Sequence, residues 1–266
     1  MKNCLTIAGS DCSGGAGIQA DIKSFSANGT FGMSVIVSVV AENTSRVISA
    51  YDVPPQAIRD QLQAIFEDIT VDGVKVGMLS DIETMLVVAQ ELKKYKPQYV
   101  VIDPVMIAKG GCALMKPQAL STLIQHIIPL AFLLTPNIPE AEAITGIEIA
   151  SMEDVKKACV AIYKMGADNV LIKGGHLDGE PADVLYDGTQ YYIYNGKRIN
   201  TKNTHGTGCT LSSAITANLA KGYDVQQCVK MAKDYITKAI ENALEIGNGH
   251  GPTNHFYEFY NQKGIK

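Results

Sequence analysis

Short runs of apolar, β-branched residues alternate along this chain with longer stretches of helical period, and that alternation restricts the fold more than any single motif does. A strand buried on both faces reads as an unbroken apolar run, whereas a helix packed on a sheet shows apolar residues every three or four positions. Leu5–Ala8, Ser34–Ala41, Gly73–Gly77, Tyr99–Ile102, Phe132–Leu134 and Asn169–Ile172 have the first pattern. Helices are expected from the Cys12–Gly17 loop to a C-cap at Asn28-Gly29, and from Pro54-Pro55 through Ile58, Leu62, Ile65 and Phe66. Others are expected from Asp81 to about Tyr95 with Ser80 as N-cap, and from about Pro117 to Ile127. Met152–Met165, Thr207–Ala220 and Val225–Leu244 complete the helical series. Val47–Val53 reads as an edge strand, and Val184–Tyr186 with Gln190–Tyr194, around Asp187-Gly188, as a hairpin. The expected fold is therefore α/β. It has one domain over residues 1–266, a mostly parallel sheet with helices on both faces, and a small antiparallel hairpin at its edge.

Composition narrows the function by exclusion. The formal net charge is −4, and Lys and Arg are scattered among acids with no basic block, which argues against a nucleic-acid partner. The longest apolar runs, Val35–Ala41 and Ile127–Leu134, are too short or interrupted to cross a bilayer. Met1-Lys2-Asn3 leads directly into a strand-like segment, so no targeting signal is expected. The six cysteines contain no C-x-x-C pair, the pattern of free thiols in a reducing cytoplasm, and His205 with Cys209 would give zinc only two ligands.

The stretch Asn203–Leu219 joins a polar, glycine-bearing turn to an alanine-rich helical pattern. A helix starting near Thr207 aims its unpaired N–H groups at that turn, where Gly206 and Gly208 leave room for an anion. Cys209 lies in the first helical turn, a position that lowers a thiol pKa. An ordinary glycine-rich helix start fits the same letters. Gly9-Ser10-Asp11, Glu42-Asn43, Asp103, Asn137 with Glu140, and Lys173 all follow strand patterns. In an open α/β sheet such positions converge on one crevice. A lysine, carboxylates and an amide cradle suit phosphoryl transfer, although any one of Asp11, Asp81 or Glu140 also suits a helix cap. Neither G-x-G-x-x-G nor G-x-x-x-x-G-K-[ST] occurs. His205 and Cys209 also admit a Cys–His nucleophile, without the third orienting residue that such chemistry uses.

L-T-I-A-G-S-D-x-S-G-G-A-G-I-Q-A-D (Leu5–Asp21), K-x-G-M-L (Lys75–Leu79), V-I-D-P-V-M (Val101–Met106), T-P-N-x-P-E-A (Thr135–Ala141), I-K-G-G-H (Ile172–His176) and N-T-H-G-T-G-C-T (Asn203–Thr210) occur in this order. Together they resemble the bacterial hydroxymethylpyrimidine/phosphomethylpyrimidine kinases of the ribokinase-like superfamily. The tail G-H-G-P-T-N-H (Gly249–His255) resembles that family's ending as well. The resemblance implies ATP- and Mg²⁺-dependent phosphorylation of 4-amino-5-hydroxymethyl-2-methylpyrimidine and then of its monophosphate, by a cytoplasmic homodimer. It implies an anion hole at Gly206, Thr207, Gly208 and Cys209, with Cys209 standing where most ribokinase-like enzymes place an aspartate base. Lys173, Asn137 and Thr204 would hold the nucleotide, and Asp103 and Glu140, with Asn137, would hold Mg²⁺ and its waters. Gly9, Asp21, Glu42, Met78 and Val105 would line the pyrimidine pocket. Glu42 departs from the family's usual glutamine, since an ionised carboxylate accepts hydrogen bonds but cannot donate them. The similar hydroxymethyl heterocycle pyridoxal is the alternative substrate on the same scaffold.

Overall fold

A computed structural model of the chain describes residues 1–107, 111–174 and 181–264. Among the described residues, nine strands form one sheet in the order β3-β2-β1-β4-β5-β6-β7-β8-β9. They span β1 Asn3–Asp11, β2 Phe31–Glu42, β3 Val47–Asp52, β4 Gly73–Val76, β5 Val100–Ile102, β6 Leu133–Leu134, β7 Val170–Ile172, β8 Ala182–Tyr186 and β9 Tyr191–Asn195. The strands from β2 to β7 in that order pair in parallel. Both margins are antiparallel: β8 and β9 at one edge, as expected, and β3 against β2 at the other. The chain runs from β1 to β2 on one side and resumes at β4 on the other, so the order reverses beside β1. Ligand crevices open at such a point, at the carboxyl ends of the strands.

The alternation of side chains along each short strand divides the core into two layers. Val100, Ile102, Leu134, Val170 and Ile172 pack with Ile58, Leu62, Met85, Ile127 and Ile162 on one face. Val101, Leu133 and Leu171 pack on the other face with Leu211, Ile215 and Val229. The first layer is covered by α2 (Pro55–Phe66), α3 (Ile82–Tyr95) and α6 (Met152–Lys164). The second is covered by α7 (Thr207–Ala220) and α8 (Val225–Glu241), with α1 (Gly17–Ala27) beside α7.

Four local expectations change. Asp81, not Ser80, caps α3, its carboxylate accepting from the Thr84 N–H at 3.0 Å. Ser80 instead donates to Asp52 at 2.6 Å. The segment expected as one helix from Pro117 is broken: a 3₁₀ turn at Pro117–Ala119, α4 at Leu120–Thr122, a π-turn at Leu123–Ile127 and a second 3₁₀ turn at Ile128–Leu130. Pro129 withholds the N–H that would continue it. Gly9-Ser10-Asp11 continues β1 rather than ending it, and two short helices, α5 (Ile138–Thr145) and α9 (Tyr257–Lys263), add to the series. The loop expected over Ala108–Cys112 and His176 lie partly or wholly outside the described residues.

Helix α7 is buried almost all round: every residue from Thr210 to Ala220 is buried. Alanine, serine and threonine let it fit between the sheet and its neighbouring helices. Its hydroxyls stay satisfied by turning back on its own carbonyls, Ser212 to Gly208 at 3.0 Å and Thr216 to Ser212 at 2.8 Å. Thr210 donates to the Gly206 carbonyl at 2.8 Å and lies 3.0 Å from Nε2 of buried His255. The C-terminal segment thus pins the start of α7. Burial, helped by the charge of Lys23, pulls the His255 pKa from 6.5 down to about 3, so the ring is neutral. The unfolded chain protonates this ring below about pH 6.5 while the folded chain does not, so stability is full above that pH and falls as pH drops towards 3. Unfolding free energies of wild type from urea titrations should therefore decline between pH 6.5 and 5 by up to about 1.4 kcal/mol per pH unit more than those of His255→Gln. Parallel declines in the two proteins would remove His255 from the account.

Candidate active site

The rim built by the strand ends brings most of the expected residues together. Lys173 follows β7 and bridges to Asn137 just after β6, which carries it to the end of β5, where Asp103 lies. Lys173 Nζ donates to Asp103 Oδ1 at 2.6 Å, and Thr135 donates to the same oxygen at 3.3 Å. Burial works against the Lys173 charge, but Asp103 and Glu140 hold its pKa above the ordinary lysine value. Asn137 and Glu140 form a reciprocal capping box at the start of α5, with bonds of 2.9 and 2.8 Å. Burial and the nearby Asp103 charge push the Glu140 carboxyl up to about 7, against the pull of Lys173.

Above this group stands the amino end of α7. Gly206 precedes the helix in the left-handed region, φ 77°, and no side chain caps the first turn. A Cβ at Gly206 would overlap the Gly15 carbonyl oxygen, so only glycine permits the approach of this turn to the loop before α1. A Cβ at Gly208 would stand 3.1 Å from Asp103 Oδ2 and 3.5 Å from Lys173 Nζ. The uncapped helix end, the lysine and the aspartate therefore face one small space, with Thr204 in the turn that enters it. Such an end attracts an anion through its N–H groups and dipole. The donor set also fits a hard divalent cation, because Asp103 keeps Oδ2 directed at the cradle and Glu140 adds a second carboxylate.

Cys209 corrects one expectation. Its thiol meets the Gly17 N–H at the start of α1, and Lys75 lies near enough to favour the thiolate, but burial outweighs both. The pKa rises to about 11, helped by the charges of Asp21 and Asp103. Position in a first helical turn lowers a thiol pKa only when the sulfur stays solvated or meets an unopposed cation. Here the half-buried residue has its sulfur drawn away from bulk water and Lys75 is opposed by Asp21 and Asp103, so Cys209 is a neutral thiol.

At the other end of the rim, Gly9 packs against Met78 and Ser38: a Cβ there would stand 2.7 Å from Met78 Cε and 3.0 Å from Ser38 Oγ. The β1–β2 register shifts between Ala8 and Gly9, a bulge that re-aims β2 beside the crevice. Val105 is half-buried after β5 and bonded to the Asp103 carbonyl at 2.8 Å. Glu42, at the end of β2, lies with Asp11 and His205 so that one donor atom of each falls within 4.8 Å of the others. This trio is not a vacant metal cage. Asp11 Oδ2 already accepts from the N–H groups of Gly15 and Ala16 at 3.0 and 2.8 Å, from Ser13 Oγ at 3.0 Å, and faces His205 Nε2 at 2.9 Å. Those donors outweigh burial and hold Asp11 down at about 2. Glu42 is pushed up by burial and by Asp11, with His205 pulling the other way.

Asp21 does not line an open pocket. It is fully inaccessible, and it joins three elements by accepting from Thr6 at 2.6 Å, Lys75 at 2.9 Å and Ser213 at 2.8 Å. Sequence reasoning missed Lys75 as a member of this region. The available signal was a lone lysine inside an otherwise apolar strand, Gly73–Val76, which must find a buried partner.

Comparison with known proteins shows the family to which the chain is related. A profile of the phosphomethylpyrimidine kinase family matches residues 11–254. The hydroxymethylpyrimidine/phosphomethylpyrimidine kinase of Bacillus subtilis is 47% identical over 258 residues, covering 96% of this chain and 95% of that protein. The thiamine biosynthesis bifunctional protein of Geobacter sulfurreducens is 49% identical over 252 residues, 94% of this chain, which spans only 51% of that longer protein. Among solved structures, the phosphomethylpyrimidine kinase of Clostridium difficile superposes with a TM-score of 0.82 at 50% identity, over 90% of this chain and 100% of the other. An ADP complex of Bacillus subtilis pyridoxal kinase superposes with a TM-score of 0.89 at 39% identity, over 96% and 97% of the two chains. The chain belongs to the phosphomethylpyrimidine kinase family.

Proposed function

We propose that this chain transfers the γ-phosphoryl group of ATP to the hydroxymethyl oxygen of 4-amino-5-hydroxymethyl-2-methylpyrimidine, and then a second phosphoryl group to the monophosphate, in thiamine biosynthesis. The observation that carries the reading is the uncapped amino end of α7 facing Lys173 and Asp103 across a space bordered by Gly208, with Gly206 letting the turn before the helix close on the Gly15 carbonyl. Phosphoryl transfer passes through a loose transition state with charge spread over the equatorial oxygens, so oriented donors matter more than a strong base. Lys173 and the amides of Thr207–Cys209 supply those donors. Asn137 and Thr204 flank the nucleotide end, while Gly9, Met78, Val105 and Glu42 bound the heterocycle. Asp103 and Glu140 are the residues that would hold Mg²⁺, which when bound neutralises charge on the triphosphate.

The identities favour the pyrimidine over pyridoxal, although the closer backbone fit to a pyridoxal kinase keeps that heterocycle as a second reading. Substrate-dependent ADP release should appear with the aminopyrimidine and its monophosphate, with kcat/KM for pyridoxal at least tenfold lower. Release on pyridoxal alone would reverse the assignment, and ATP-independent hydrolysis would restore the Cys–His alternative.

A thiol held near 11 cannot serve as a strong base at neutral pH, so Cys209 positions the substrate hydroxyl, which keeps its proton until late in transfer. The expected kcat is flat from pH 7 to 9, and Cys209→Ala should lose less than about 10²-fold in kcat. A log-linear rise with pH and a loss of about 10²- to 10⁴-fold would instead make the thiol the general base.

The cytoplasmic homodimer belongs to the same proposal. It is supported by the apolar surface of β2 and the edge strand β3, where Phe31, Val39, Ile48 and Tyr51 are exposed. Light scattering on the purified chain should give twice the 28.6 kDa chain mass. A monomer at micromolar concentration would refute this part alone.

A further inference from the structure

One charged pair beneath the cradle has no place in the mechanism above. Lys75 lies inside β4 with its side chain wholly inaccessible, and its ammonium meets the equally buried Asp21 at 2.9 Å. An unpaired cation at this depth would carry a large desolvation penalty, and even a paired one is seldom the most stable filling for a core. Leucine or methionine would pack such a strand without charge, so stability alone does not account for the lysine.

The surroundings give it a direction. Asp21 is one helical turn beyond Gly17, whose N–H meets the Cys209 thiol. Ser213 is one turn beyond Cys209 on α7, and its hydroxyl donates to Asp21 Oδ1 at 2.8 Å. Asp21 Oδ2 takes Lys75 and Thr6. The pair is thereby tied to α1, β1, β4 and α7 at the level of the cradle floor. A Cβ at Gly77 would stand 2.6 Å from Lys75 Nζ, so the ammonium lies against the backbone where β4 opens onto the crevice. Four charged side chains on the packed elements act on the Cys209 thiol: Lys75 from β4, Asp21 from α1, Asp103 after β5 and Lys173 after β7.

We propose that Lys75 is a positioning residue of the phosphoryl-transfer site, a buried cation clamped by Asp21, Thr6 and Ser213 so that positive potential rises through the floor of the Gly206–Cys209 cradle. Lys173 meets the anion from the mouth and must loosen from Asp103 to follow a moving phosphate. Lys75 touches no ligand and does not move, so its field costs no reorganisation during transfer. This inference rests on the kinase reading, and it adds a second cation to the site.

The test uses Cys209 as a reporter in the full-length chain, with exposed Cys12 and Cys112 replaced by serine. In that background Asp21→Asn/Lys75→Met exchanges the ion pair for neutral groups of similar size, leaving no buried charge alone. The expected result is a kcat about tenfold lower with KM for ATP unchanged, and a pH midpoint for Cys209 alkylation by iodoacetamide about one unit higher. Lys75 favours the thiolate more than Asp21 opposes it, so removing both moves the midpoint upward. Gly77→Ala supplies a second variant that keeps both charges and displaces chiefly the end of the Lys75 side chain, with a tight 3.0 Å contact to Ala8 Cβ besides. It should shift the same midpoint even if the double variant does not fold. An unchanged midpoint and kcat in whichever variant folds would reduce Lys75 to a core residue. Failure of the kinase reading is separable, because wild type itself would then release no ADP while the alkylation comparison remained readable.

Discussion

The contact on which the rest of the site depends is the approach of Gly206 to the carbonyl of Gly15. It presses the turn before α7 onto the loop before α1, so two helix amino ends meet at one point on the rim. Any side chain at 206 would separate them, and the left-handed backbone there would in any case resist one. Because the two ends meet, the Cys209 sulfur faces the Gly17 N–H, and His205 reaches the Asp11 carboxylate that organises the first loop. The tail from Gly249 to His255 closes the arrangement from behind. Its backbone takes bonds from or gives bonds to Thr44, Asn203 and His205, and its last histidine meets Thr210.

Charge in this protein is managed locally. A net charge of −4 would repel a triphosphate, yet Lys173 stands on the crevice rim and Lys75 is buried beneath it, each matched to one aspartate. Matching allows a cation to stay buried, and the position of its partner decides its use. Asp103 shares the rim with Lys173, and under the proposed function it exchanges that contact for a ligand. Asp21 is sealed in the core and cannot. Asp11 is a third case, an anion held by His205, by Ser13 and by backbone N–H groups of its own loop, which leaves it as scaffold. The same type of residue therefore serves as switchable partner, permanent clamp and loop anchor, according to what surrounds it.

Much of the fold was legible because its signals are local. β-Branched runs marked the parallel strands, and the helical period marked α2, α6, α7 and α8 to within a few residues. What was lost was also local in kind but ambiguous in letters. Ser80 and Asp81 are both good caps, and only the approach of Asp52 decided which of them faced the helix. The Pro117–Leu130 segment has enough apolar residues for a helix, but Pro129 and the packing of Leu123 and Ile127 into the core divide it into tighter and looser turns. β3 was recognisable as an edge strand, whereas its antiparallel direction depends on a pairing partner that no local pattern specifies.

The sequence by itself determined the class of chemistry: glycines at 206 and 208, Lys173 and carboxylates after strands are residue types whose uses are few. Tertiary structure alone decided what each would experience. Cys209 reads as an activated thiol from its place in a helix, but burial between α1 and β4 holds its proton on. Asp21 reads as a pocket residue from its motif, but the fold closes over it and gives it Lys75. Solvation and the sign of neighbouring charges arise from segments far apart in the chain, and a pKa or an accessible surface is therefore a property of the folded assembly and not of the local letters.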